Sequence, residues 1–384
     1  MTRAWLPRRY EWLAPLVGVL ALVGCLLLGF AAPQQALLSY LFAFLFFTGL
    51  SVGSLALAMV HPLSGGAWGW YIRPQVLAAA RTLPLMALLV IPVLLGMHAL
   101  YVWSHADVLM QDALLRQQSW YLDPAFFVVR TIAYFALWLL LLILFNRGVR
   151  RNTRLARIAA PGLIVYALTT LFASVDWISS LVPHWHSTTF GMMVATGWML
   201  AAAALATLCA VCAAQAVDAN PSKLLNDLGN LLLMFVLGFS YLAFMQYLTI
   251  WVADLPAETV WYIPRTLTSW RWLAWFLIAF LFVIPFVVLL SRRAKRNRAW
   301  LGIVAAMLLC ANLADALWLV VPNFREHGLS LRLTDLLAPL GIGALWWCMF
   351  AGQLRLTRLP AAQPAAKATV RAPRARMTAG GAHG

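Results

Sequence analysis

Ten long apolar runs dominate this sequence and constrain its fold more than any other feature. Each run has about 20 residues or more, which is the length that a helix needs to cross a bilayer. Only 10% of the 384 residues are charged, whereas a soluble domain averages about 25%. We therefore predict an all-α integral membrane protein with about ten transmembrane helices. The runs cover residues 12–31, 36–60, 82–103, 124–146, 157–182, 187–214, 225–251, 270–291, 299–321 and 331–354.

The net charge of +16 is divided unevenly between the two sides of the predicted membrane. One side holds large clusters of arginine and lysine, such as 147–157, 292–298 and the C-terminal tail. The positive-inside rule places that side, and with it both termini, in the cytoplasm. The charge thus indicates topology and contact with lipid headgroups, and we expect no nucleic-acid partner. The arginines of the other side are Arg116, Arg265, Arg271, Arg325 and Arg332.

The chain also repeats itself weakly. "WYLDP" at Trp120 precedes the fourth run, and "WYIPR" at Trp261 precedes the eighth. Asp176 near the end of the fifth run and Asp315 near the end of the ninth each stand seven residues before a proline. Matches in the same order predict two four-helix bundles, spans 2–5 and 6–9, related as a parallel repeat, with spans 1 and 10 outside them.

These observations divide the chain into five parts. Residues 1–35 form the N-terminal segment and first helix, 36–183 the first four-helix bundle, and 184–322 the second. Residues 323–358 form the last helix. The Ala-, Pro- and Arg-rich segment 359–384 is predicted to be a disordered basic cytoplasmic tail.

Ionisable side chains near the outer ends of the spans are the candidate functional groups. A charge at the bilayer centre costs about 2.5–3.5 kcal/mol on insertion scales. Asp176 and Asp315 must therefore face the interiors of their bundles and find partners. Ser180 continues the polar face of Asp176 at helical spacing. Arg130, which enters from the same edge in the fourth span, is the expected counter-ion of one of the two aspartates.

Other polar groups lie at a similar height. His98 in the third span is expected near Asp176, Gln246 in the seventh near Asp315, and His184 above both. Two interpretations remain open: a proton relay or a polar pocket for a quinone headgroup, or an ion pair that locks helices together. Asp227, at the cytoplasmic end of the seventh span, either joins a proton path or complements its helix dipole.

The sequence indicates no metal site or redox cofactor. All five cysteines lie inside apolar runs. Cys209 and Cys212 have the spacing of a metal-binding or redox pair, but they sit in an alanine-rich run, where packing is the usual role. We therefore expect no cofactor bound by this chain, while quinone or quinol stays open as a ligand.

Three stretches resemble a known family. They are "HPLSGGAWGWYIRPQVLAAARTLPLMALL" from His61, "DWISSLVPHWHSTTFG" from Asp176 and "DLGNLLLMFVLGFSYLAFMQYLTIWVADLPAETVWY" from Asp227. They look like the second quinone-binding-type membrane subunit of bacterial alternative complex III, a quinol:cytochrome c oxidoreductase, within the NrfD-like superfamily. The resemblance covers nearly all of spans 2–9 and implies two four-helix bundles with two outer helices.

The resemblance also implies a role and a location. It predicts a subunit of the bacterial inner membrane, not catalytic alone, that contributes a proton path or quinone-side pocket and assembly. Its partners would be an NrfD-like paralogue, an iron–sulfur subunit and cytochrome c subunits. Asn226 stands where the family has His, and Met245 where it has Ser, which weakens a proton path through the seventh span. A stand-alone proton-coupled transporter and an assembly scaffold without proton chemistry remain the alternatives.

Overall fold

Helices make up the regular structure of this protein. The computed structural model describes residues 13–151, 153–213, 221–325 and 328–357, and the predicted basic tail lies outside them. Within those ranges there is no strand, and ten helices are long and apolar enough to cross a membrane. The predicted fold class, an all-α membrane protein with about ten spans, is confirmed.

The helices follow one another with short connections. The first half comprises α1 (Leu13–Ala31), α2 (Pro33–Ser64), α3 (Ala67–Ala80), α4 (Leu83–Leu89), α5 (Ile91–Leu95), α6 (Met97–Leu100), α7 (Ala106–Gln111), α8 (Ala113–Gln118), α9 (Pro124–Arg150) and α10 (Ala156–Trp177). The second half comprises α11 (Phe190–Ala213), α12 (Pro221–Ala253), α13 (Pro256–Thr259), α14 (Ile263–Leu267), α15 (Arg271–Leu277), α16 (Ile284–Leu290), α17 (Arg292–Arg296), α18 (Arg298–Val320) and α19 (Leu333–Leu356). A π-helical segment, Ile278–Val283, joins α15 to α16, and short 3₁₀ turns follow α6, α10 and α18.

The two most buried spans are the first helices of the two predicted units. In the most apolar stretch of α2, 89% of the residues are buried, and in that of α11 the share is 72%. The helices α2 and α11 pack against each other, and α2 also contacts α3 and α10 while α11 contacts α12 and α18. Two helices at the ends of the chain, α1 and α19, pack on one another and on α2.

Side-chain caps define where several helices begin. The Asp123 carboxylate accepts a hydrogen bond from the Phe126 N–H at 2.8 Å, and Pro124 occupies the first position of α9. This is the residue pattern that helix starts favour, because it satisfies a free backbone donor. Asn297 caps α18 in the same way. The start of α9 at this point sets Arg130 two turns inside the helix.

The predicted boundaries of the third span are wrong. It was expected over 82–103, but the structure has it over Ala67–Leu95, immediately after the turn at Gly65 and Gly66. These two glycines have φ of 71° and 96°, which favour glycine. Arg73 lies within α3 and Arg81 directly follows it. Both can be part of the span because long side chains can reach the membrane surface from inside a helix.

One end of the molecule, which we call the basic end, carries the arginine-rich connections of both units. Arg81 donates to the side chains of Asn146 at 3.0 Å and Thr357 at 3.1 Å. Arg298 donates to the Val211 carbonyl. The helix ends that meet here are thus tied by hydrogen bonds. The groups predicted to lie near the outer surface fall at the opposite end.

Candidate functional site

A buried ion pair lies where α9 begins and α10 ends, opposite the basic end. Asp176 lies in the last turn of α10 and is fully buried. The Arg130 Nε donates to Asp176 Oδ2 and Nη2 donates to Oδ1, both at 2.9 Å. This two-point geometry is the strongest form of an arginine–carboxylate bond. The predicted contact between Arg130 and Asp176 is confirmed.

Aromatic side chains close the pair off. The Tyr134 hydroxyl donates to Asp176 Oδ2 at 2.6 Å. Arg130 also donates to the Tyr121 carbonyl at 2.8 Å, and its guanidinium carbon lies 4.0 Å from the Tyr121 ring centre and 4.3 Å from that of Phe126. Both carboxylate oxygens therefore already accept bonds, and the arginine is held from two sides. Sequence reasoning did not identify Tyr134 as a partner of Asp176.

Ser180 contacts the backbone of the same residue. Its hydroxyl donates to the Asp176 carbonyl oxygen, not to the carboxylate. It thus terminates α10 by satisfying a carbonyl that the helix leaves free. The hydroxyl of Tyr166, further along α10, donates to the Ala195 carbonyl at 2.7 Å and does not join the Asp176 group.

Asp315, the counterpart of Asp176 in the predicted repeat, lies in a different environment. It is half-buried in α18, and among the described residues no hydrogen bond or ion pair reaches its carboxylate. It lines a cavity of about 30 Å³ that includes residues of α2, α11, α12 and α18. Asn312, three residues before Asp315 and thus on the same face of α18, lines the same cavity, whose remaining wall is mostly apolar. A cavity of this size has room for water beside these two polar side chains, whereas small-molecule sites measure about 300 Å³ or more.

Arg265 is too far from Asp315 for a direct ion pair, but its positive charge interacts electrostatically with the Asp315 carboxylate. The Arg265 guanidinium is fully buried and donates to the Trp261 carbonyl at 2.6 Å and to Asn323 Oδ1 at 2.7 Å. Its central carbon lies 3.7 Å from the Trp261 ring centre. Burial lowers the pKa of Arg265 to about 9, which leaves it charged at neutral pH. Arg265 is therefore anchored to backbone and amide oxygens.

Gln246 is buried in α12, and its Nε2 donates to the Tyr262 hydroxyl at 3.2 Å. Its Oε1 is buried with no partner among the described residues. Within the described ranges no hydrogen bond joins Gln246 to Asp315, and their expected proximity stays a prediction. Tyr262 follows Trp261, the residue on which Arg265 stacks, so Gln246 belongs to the surroundings of Arg265.

His98 is exposed and does not enter the first bundle, contrary to prediction. Because the third span ends at Leu95, His98 lies beyond it, at the end of the molecule opposite the basic end. Its Nδ1 lies 3.1 Å from the Ser104 hydroxyl, and its ring packs against His105 with centres 5.7 Å apart. The early start of the span explains the error.

His184 belongs to a surface cap above the bundle. Its Nε2 lies 2.9 Å from Asp112 Oδ2, with both side chains partly exposed. Asp112 also caps α8 by accepting from the Leu114 and Leu115 N–H groups. The bond from Leu115, followed by those from Leu114 and His184, holds the pKa of Asp112 below its usual range. His184 therefore fixes a loop to a short helix and lies outside the buried pair.

At the basic end, Asp227 sits in the second turn of α12, half-exposed, with no hydrogen bond or ion pair among the described residues. Nearby, Lys295 donates to Asn230 Oδ1 at 2.6 Å, and burial lowers the pKa of Lys295. Asp227 is not joined to the outer groups, which lie at the other end of the molecule.

A second buried arginine–aspartate pair was missed by sequence reasoning. Arg325 donates to both oxygens of Asp335, at 2.6 and 2.9 Å, and Ser39 donates to Asp335 Oδ1 at 2.6 Å. The pair ties the connection after α18 to the start of α19 and to α2. Arg325 lies in the connection after α18 and Asp335 in the first turn of α19, where charged side chains are expected to be exposed, so the sequence alone did not indicate their burial.

No family model matches the chain, and no curated protein matches it significantly. Within the described ranges, no group of three or more His, Cys, Asp or Glu side chains is arranged to hold a metal ion. Cys209 is buried and Cys212 is exposed, and neither forms a disulfide. The site must therefore be interpreted from its own geometry.

Proposed function

We propose that this chain is a membrane subunit of a quinol-oxidising respiratory complex, and that Asp315 is its proton-carrying group. The observation that supports this proposal is the contrast between the two aspartates. Both Asp176 oxygens are bonded to Arg130, and one also to Tyr134. Asp315 has no partner in the described ranges and faces a cavity with room for water.

A proton carrier must gain and lose a proton without collapse of its surroundings. Protonation of Asp176 would leave Arg130 buried without its anion, at a cost of about 3–5 kcal/mol. Protonation of Asp315 breaks no direct bond, and water in the cavity can supply or remove the proton. Asp176 is therefore suited to hold α9 and α10 together as part of an ion pair, which we call the lock. Asp315 is suited to transfer protons.

The resemblance to the second membrane subunit of alternative complex III supplies the setting. In that setting the chain would work beside an NrfD-like paralogue, an iron–sulfur subunit and cytochrome c subunits in a bacterial inner membrane. The cavity at Asp315 is large enough for water but too small for a quinone ring. We therefore place the quinone site on a partner subunit or at an interface with one.

The test begins with the tagged chain expressed in its native membrane. We expect iron–sulfur and cytochrome c subunits to co-purify and to be identified by mass spectrometry. Recovery of the chain alone, together with solute movement by the purified chain in liposomes, would instead support the transporter.

The role of Asp315 is tested in the purified complex reconstituted into liposomes. Asp315→Asn should leave assembly unchanged and lower quinol-driven proton uptake by about a hundredfold. Asp107→Asn, at an exposed carboxylate in α7, is the matched control and should behave as wild type. Full proton uptake by Asp315→Asn would support a scaffold without proton chemistry.

A further inference from the structure

A cavity of about 70 Å³ opens at the basic end, between the end of α2 and the start of α3. Its polar wall is formed by His61, Trp68, Trp70 and Arg73, and Trp70 is 61% exposed at the rim. The remaining wall is apolar. It includes Leu57, Ile72, Val76, Phe145 and Leu155.

Arg73 is a cation with no anionic partner among the described residues. Its guanidinium carbon lies 4.8 Å from the Trp70 ring centre, and it is half-buried. In the part of the chain that the structure describes, no hydrogen bond or ion pair reaches its side chain. Stacking on an aromatic ring fixes a guanidinium while leaving its N–H donors free for a ligand.

Close packing shapes the floor of the cavity. A Cβ atom at Gly69 would lie 1.9 Å from His61 Cδ2, so α3 approaches the histidine this closely only because residue 69 is glycine. The His61 ring also meets Trp68 and Trp70 edge-on, with ring centres 5.5 and 5.2 Å apart. The aromatic wall is therefore rigidly placed.

The segments that surround this cavity carry positive charge only. Phe145 and Leu155 flank the basic connection between α9 and α10. Neither segment 61–81 nor segment 145–160 contains a carboxylate. The exposed arginines of that connection are Arg147, Arg150, Arg151, Arg154 and Arg157.

We infer that this cavity binds an anionic phospholipid. The phosphate would accept from the free donors of Arg73, which suits the fork geometry of a guanidinium. Trp70 would lie at headgroup level, where tryptophan is enriched. The cavity of about 70 Å³ has room for the phosphate group, and the acyl chains would lie outside it in the surrounding bilayer. Basic pockets between transmembrane helices are the kind of site that anionic headgroups occupy. The inference holds whether or not the chain handles protons.

Native mass spectrometry of the delipidated full chain, titrated with dioleoyl phosphatidylglycerol, tests the site. We expect one saturable lipid, not displaced by dioleoyl phosphatidylcholine or by inorganic phosphate. Arg73→Gln should weaken binding about fivefold, because one arginine near a membrane surface contributes about 1 kcal/mol. Arg73→Lys, which keeps the charge, should bind more tightly than Arg73→Gln.

Arg271→Gln is the matched control, because Arg271 also stacks on an exposed tryptophan, Trp272, at 5.6 Å, but at the opposite end. It should bind the lipid as wild type does. The thermal midpoint without lipid verifies that each variant is folded. Equal binding by Arg73→Gln and wild type, or equal competition by phosphatidylcholine, would overturn the inference. Displacement by inorganic phosphate would assign the cavity to a free anion and overturn it as well.

Discussion

At the residue scale, the Asp176 carboxylate accepts three hydrogen bonds from two side chains. Arg130 bonds both oxygens, and Tyr134 adds a third bond to one of them. A group held in this way contributes to stability through its charge and loses that contribution when its partner is removed.

We predict that Asp176→Asn destabilises the protein by about 3 kcal/mol, because Arg130 then stays buried without an anion. Tyr134→Phe removes one bond to a charged group and should cost about 2 kcal/mol. Thermal unfolding in detergent measures both.

The combined change Arg130→Met, Asp176→Leu and Tyr134→Phe removes every charge and donor of the group together. It should be more stable than Asp176→Asn alone, since a buried ion pair can often be replaced by apolar side chains without loss. A triple variant less stable than Asp176→Asn would show that the unpaired Arg130 charge is not the cause of the destabilisation in Asp176→Asn.

The sequence predicted the partners of Asp176 only in part. The cost of a charge in lipid and the position of Arg130 in the neighbouring span were enough to predict that pair. Tyr134 was not identified as a direct partner, because the rotation of α9 about its axis is set by packing that an apolar run does not encode. Nor could the sequence distinguish the partnered Asp176 from Asp315, which occupies the same place in its own repeat.

At the element scale, the short helix α8 begins at Asp112, which binds two backbone N–H groups and His184. Its pKa is depressed in the folded state. The stabilising charge is therefore fully present above the ordinary carboxyl pKa of about 4 and is lost as pH falls through the lower folded value.

We predict that amide hydrogen exchange in α7 and α8 accelerates as pH falls below about 4, after correction for the intrinsic exchange rate. Asp112→Asn keeps a cap-forming side chain but removes the titrating proton. Its exchange should be independent of pH over that range. A pH response that persists in Asp112→Asn would show that another group controls this cap.

The start of α19 depends on the second ion pair. Asp335 accepts from Arg325 and Ser39 and also from the Arg332 N–H at 2.9 Å. We predict that Asp335→Asn costs about 3 kcal/mol and raises exchange at the start of α19. Ser39→Ala, which removes one donor, should cost about 1 kcal/mol. Unchanged exchange at the start of α19 in Asp335→Asn would refute this anchor.

The boundaries of the third span show where reasoning at the element scale failed. The predicted span was the apolar run 82–103, which begins after Arg73 and Arg81. The helix begins at Ala67 instead and bends through prolines at 84 and 92. Proline in the first turn of a helical segment loses no hydrogen bond, so these residues divide the span without ending it. The shift moved His98 out of the bundle.

At the scale of the whole molecule, the number of spans and the helical class followed from hydrophobic length alone. The position of α2 and α11 at the centre did not, because every span is apolar and the burial of one against another depends on tertiary packing. The long-range pairing of α1 with α19 also lies outside what periodicity can predict.

Topology is a prediction at this scale. The basic end should face the cytoplasm because arginine and lysine concentrate there. A cysteine at His186, in a chain without its native cysteines, should react with a membrane-impermeant thiol reagent in intact spheroplasts. A cysteine at Arg151 should react only after permeabilisation. The opposite labelling pattern would reverse the orientation.

The central claim is that the two repeat-related aspartates have different roles, Asp176 as a lock and Asp315 as a proton carrier. The most direct test measures proton uptake per assembled complex in liposomes for Asp176→Asn and Asp315→Asn side by side. We predict that Asp176→Asn lowers the yield of assembled complex but leaves uptake per complex unchanged, while Asp315→Asn assembles normally and loses uptake by about a hundredfold. Normal uptake in Asp315→Asn, with uptake lost per assembled complex in Asp176→Asn, would contradict the account.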